Sequence, residues 1–158
     1  MTDDPNHAIA IGRLQRLRRM TRIAAAASQG LHQDREEARQ RATRSASDLR
    51  SAAKLLRYAG AEWDEKGCAI GLQTTSRQMA NGRTDFDTAR SPVPELDPHA
   101  RRAKLDADKA EAARQLADAA AERWRGLSSV LASAEEFLAS RGWLEADEPT
   151  VTGMGLSL

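Results

Sequence analysis

The chain has 158 residues, 30% of them charged and 4% aromatic, with a formal net charge of +1 and a single cysteine. Length suits one domain, while near-neutrality supplies no global field to draw nucleic acid or membrane, and Cys68 alone excludes an internal disulfide. No apolar run approaches the roughly 18 residues of a membrane span, and the acidic opening "MTDDPNHA" lacks the basic region of a signal peptide; the expected place is the cytoplasm, or a particle assembled there, not the outside of the cell.

In chain order, Asp4 offers a helix N-cap and Pro5 the first helical position, where its missing N–H costs nothing. From there a heptad-like seam runs through Ala10, Leu14, Leu17, Ala24, Leu31, Leu49 and Leu56 to Trp63, which predicts a helix over 5–63. Gly30 marks the expected kink or break, because glycine costs about 1 kcal/mol relative to alanine inside a helix.

Within this stretch, "GRLQRLRRMTRIAAAASQG" sets Arg13, Arg16, Arg18, Arg19 and Arg22 around the Leu14 and Leu17 seam with no acidic residue among them. At 100° per residue they spread over about 240° of the helix surface. Phosphate binding favours charges gathered on one face, whereas arginines encircling a seam suit an acidic protein neighbour, since the planar guanidinium pairs with carboxylates. "Ala26…Gly30-Leu31" has the spacing of a helix-turn-helix turn, but Glu36 and Arg39 stand where the second helix needs apolar anchors.

Asp64 to Glu95 holds three glycines and two prolines with no helical period, and reads as an irregular loop over 64–96. "CAIGLQTT" has strand character and Asn81-Gly82 is a turn pair, which leaves room for a small β-hairpin. A connection this long is the expected place for a specific contact.

A second helix is predicted over 97–141, opened by Asp97 and Pro98 with Leu96 stapling the entry. Its seam includes Ala103, Ala117, Trp124, Leu127, Leu131 and Leu138, and Gly142 with Trp143 supplies a left-handed stop. Residues 142–158 read as an acidic, extended tail, with "EADE" at Glu145 to Glu148.

These elements predict one all-α domain over 1–158: a long antiparallel helical hairpin with a coiled-coil-like, alanine-rich seam. The larger seam side chains are Leu14, Leu17, Leu49, Leu56, Trp63, Trp124, Leu127, Leu131, Leu138 and Trp143, each worth roughly 1.5–3 kcal/mol if fully buried. Alanine buries far less, so self-association or docking onto a larger body is expected.

No catalytic, cofactor-binding or metal-binding residue is predicted. His7, His32 and His99 are far apart, neither they nor Cys68 fall in a ligand spacing, and the glycines lack a phosphate-loop context. Glu36 with Glu37 and Glu135 with Glu136 read as charged helix faces. Residues 1–63 carry twelve Lys and Arg against seven Asp and Glu, and residues 64–158 twelve against sixteen, an asymmetry that favours pairing between the halves or between copies.

In its helical, Ala- and Arg-rich character, long loop and small-residue tail, the chain resembles minor structural or assembly proteins of bacterial viruses; the likeness is compositional and transfers no residues. It implies a non-enzymatic structural or assembly subunit, partnered by other proteins or copies of itself, with no membrane and no small-molecule substrate. The alternative expectation is a nucleic-acid-associated packaging factor using Arg13 to Arg22.

Overall fold

In the computed structural model, residues 4–144 are described, and the order of elements is α1 (Pro5–Leu55), β1 (Gly60–Trp63), β2 (Ala69–Gln78), β3 (Thr84–Pro92), a short 3-10 turn (Pro94–Leu96) and α2 (Asp97–Ser140). About 70% of the described residues are helical. The all-α expectation is corrected: residues expected in the tail of a helix and in an irregular loop form a three-stranded antiparallel sheet of order β1-β2-β3.

The chain divides into two compact units, residues 1–32 with 115–158, and residues 33–114. In the second unit α1 ends at Leu55, eight residues short of the expected Trp63. The stop is a Schellman motif: Tyr58 donates its N–H to Ala53 O and Arg57 to Lys54 O, each at 3.0 Å, with Arg57 at φ 66°. Such a cap turns the chain and satisfies terminal carbonyls. Here it folds Tyr58 back onto the core around Ala53.

Beyond that stop the chain enters the sheet. β1 pairs with β2 from Gly60↔Leu72 to Trp63↔Ala69. Their connection is organised by Asp64, whose carboxylate accepts the N–H groups of Lys66 (2.9 Å) and Cys68 (2.8 Å), while Gly67 takes a left-handed φ of 80°. β2 pairs with β3 from Ile70↔Pro92 to Gln78↔Thr84. Met79 and Gly82 close the turn, with Gly82 at φ 77°, the arrangement of a type I turn followed by a left-handed bulge residue.

The core of this unit gathers Leu49 and Ala53 from α1, Ala69 from β2, Val93 and Leu96 from the approach to α2, and Ala100 and Ala103 from α2. Trp63, read as a helix seam residue, packs against it from β1, and Leu56 lies past the helix end and is exposed. Asp97 has helical backbone angles (φ −54°, ψ −40°) and so is not a true N-cap; its carboxylate accepts the N–H of Ala69 at 2.7 Å and ties α2 to β2. A partly buried hydrogen bond from Ser45 to Asp106 joins α1 to α2.

In the first unit, α1 is opened by Asp4, which accepts the N–H of Asn6 at 2.9 Å, and its backbone is helical through Gly30. Leu14, Leu131 and Leu138 form the buried cluster, flanked by Ala10, Ile11, Leu17, Ala134, Trp143 and Leu144. α2 ends as Trp143 donates its N–H to Leu138 O at 2.9 Å with Gly142 at φ 70°. Of the expected tail over 142–158, residues 145–158, with the acidic run Glu145 to Glu148, lie outside the described residues.

Candidate interaction site

The five clustered arginines do not act as one group. Arg18 turns inward and its Nε meets Glu135 Oε1 at 3.0 Å, with the two side chains only 14% and 6% exposed. Removing one partner of so buried a pair would strand the other charge, at a cost of about 3–5 kcal/mol. Arg18 is therefore an internal clasp between α1 and α2. Arg13, Arg16, Arg19 and Arg22 remain exposed. Because they step by three residues, each is turned 60° from the last, and the four wind around the helix instead of forming a stripe.

Glu135, read from sequence as part of a solvated acidic pair, is thus the buried partner that sequence reasoning missed. The signal was present: Glu135 lies one turn from Leu131 and three residues before Leu138, on the buried side of α2. On the exposed α1 surface, by contrast, Arg39 bonds Glu36 at 2.6 and 3.1 Å. That hydrogen bond, then the attraction of the carboxylate charge, raises the guanidinium pKa further above its usual value.

The first unit also contains a groove of about 510 Å³ between α1 and α2, lined by Met20, Ile23, Ala24, Ala27, Leu31, Ala119, Ala120 and Arg123. Seven of its eight lining side chains are apolar, which suits the packing of another helix or apolar segment more than a polar substrate. At the end of the unit, the His7 ring meets Trp143 edge-on at 5.3 Å, and His7 Nε2 lies 3.3 Å from Trp143 O. Trp124 and Leu127 are half-buried on α2.

In the second unit, β2 beyond Leu72 and β3 from Thr84 to Ala89 form a two-stranded ribbon exposed on both faces. Phe86 stands on it at 72% exposure, opposite Ser76. Cys68 is half-buried in the β1–β2 turn, and His32 and His99 are exposed. Among the described residues no group of three or more His, Cys, Asp and Glu side chains is placed to hold a metal ion, and no helix is long and apolar enough to cross a membrane.

No family model, no curated protein and no solved structure matches the chain.

Proposed function

We propose that the chain is a non-enzymatic structural or assembly subunit, acting through contacts of its helices and tail in a larger complex such as a bacterial virus particle. The observation that carries this reading is the number of large apolar side chains left in solvent, among them Ile23 at 64%, Leu116 at 59% and Phe86 at 72%. Single exposed apolar residues are ordinary, but contiguous ones mark surfaces that a partner covers. Size-exclusion chromatography with light scattering tests it. The expected result is a species heavier than the 17.3 kDa chain; a folded monomer at about 100 μM would overturn it.

A second reading, nucleic-acid association, draws on the exposure of Arg13, Arg16, Arg19 and Arg22. It requires binding to duplex or single-stranded nucleic acid that weakens steeply with salt. It also requires that changing these four residues to Glu abolish that binding. Their winding placement supports the first reading over this one.

A further inference from the structure

The exposed apolar side chains of the first unit are not scattered. Among the described residues, its six exposed large apolar side chains are Ile9, Met20 and Ile23 on α1 and Leu116, Val130 and Phe137 on α2. At 100° per residue, those on α1 fall within about 60° of arc, as do those on α2. Met20 and Ile23 share the groove with Ala119 and Arg123, and Arg123 is the missing member of the heptad series Leu116, Arg123, Val130, Phe137. Both arcs therefore face the same side of the unit.

Glycine adds a second observation. Gly12 and Gly30 on α1 and Gly126 on α2 sit inside helices, and a β-carbon at any of them would meet nothing within 4 Å. Nothing among the described residues crowds these glycines, although each costs helix stability. By the same angular reckoning all three border the apolar face, where an absent side chain lets a neighbouring helix approach closely.

We infer that this face is the interface between two copies of the chain, whose first units pair face to face as a four-helix bundle. The inference rests on the assembly reading above and names its partner. A stable interface buries about 800 Å² per partner, and six large side chains with the groove and the arginine stems provide area of that order. Charge selects the pairing. Apart from the internally paired Arg18 and Glu135, α1 from Pro5 to His32 carries four arginines and no acid, whereas α2 from Gln115 to Ser140 carries three acids against two arginines. Stacking α1 on its own copy would oppose cations, whereas α1 over the partner's α2 sets this positive stretch against a net-negative one.

Light scattering and sedimentation of the full chain read the outcome. The expected species is a dimer of about 35 kDa, twice the chain mass. Ile23→Glu and Val130→Glu should each weaken association at least about tenfold while leaving the circular dichroism unchanged, because both side chains are more than half exposed in the single chain. In a Cys68→Ser background, mixing Ile23→Cys chains with Val130→Cys chains should give a cross-chain disulfide, and Ile23→Cys alone should give none. If the wild type associates but both glutamate variants keep its mass and the mixed disulfide does not form, the interface is wrong and the assembly reading survives. If the wild type is monomeric, both fall. A monomer that dimerises only after residues 145–158 are removed, or that binds anionic vesicles through Ile23, overturns the dimer by assigning the face to the tail or to lipid.

Discussion

Gly71 shows how closely the second unit is packed. A β-carbon built there would lie 2.6 Å from the Tyr58 ring and 2.7 Å from Val93 Cγ2, so an added methyl group must displace core atoms from two directions. Gly71→Ala is expected to destabilise the chain by about 2 kcal/mol, read as a lower midpoint in urea unfolding. Arg57 is the opposite case. It holds a left-handed φ of 66° at the helix-stop position that glycine usually occupies, and an L side chain is penalised there by roughly 1–2 kcal/mol. Arg57→Gly should raise stability by about 1 kcal/mol in the same measurement, since the cap hydrogen bonds come from the backbone. This residue also explains why the end of α1 was hidden in the sequence. "KLLRYAG" contains no glycine at the stop, and Leu56, Ala59 and Trp63 continue the seven-residue spacing, so periodicity carries the helix into what is β1.

Among the elements, the sheet was the least legible. β2 begins with buried Ala69 and Gly71 alternating with half-buried Ile70 and Leu72, then becomes wholly exposed from Gln73 onward. The alternation that announces a strand therefore lasts four residues, and β3 has none at all because every residue in it is exposed. Its pairing is set by the turn at Asn81 and Gly82 and by the ladder to β2, neither of which leaves a hydrophobic period. A two-stranded ribbon without a covered face is held weakly. Hydrogen exchange should accordingly be faster at the ladder amides of Thr74 to Gln78 than at those of Ala69 to Leu72; equal protection along β2 would show that the ribbon is covered in solution. The long helices were easier to read because Asp4, Pro5 and Gly142 punctuate them and leucine repeats fill their seams. The Arg18–Glu135 clasp was not, because spacing within one helix says nothing about which charge on another helix it will meet.

At the scale of the molecule, the hydrophobic material is divided between two small clusters, Leu14 with Leu131 and Leu138, and Leu49 with Leu96 and a set of alanines. Neither is large, as the low aromatic content and abundant alanine foretold, and a small core gains most from any surface buried against a partner. If the first units pair as inferred, association and folding are linked. The thermal midpoint of the wild type should then rise with protein concentration, whereas that of Ile23→Glu should not. Differential scanning calorimetry over a hundredfold concentration range would read this, and a concentration-independent wild-type midpoint would count against linkage.

The tip of the ribbon has a practical meaning. Between Met79 and Arg83 every residue is exposed, and the hydrogen bonds there close only the turn itself. Loop tips of this kind accept inserted sequence and are where proteases cut first. The Asn81-Gly82 bond is thus the natural place to graft a fluorophore-binding tag or a purification peptide, leaving both helical faces free to be watched as copies meet.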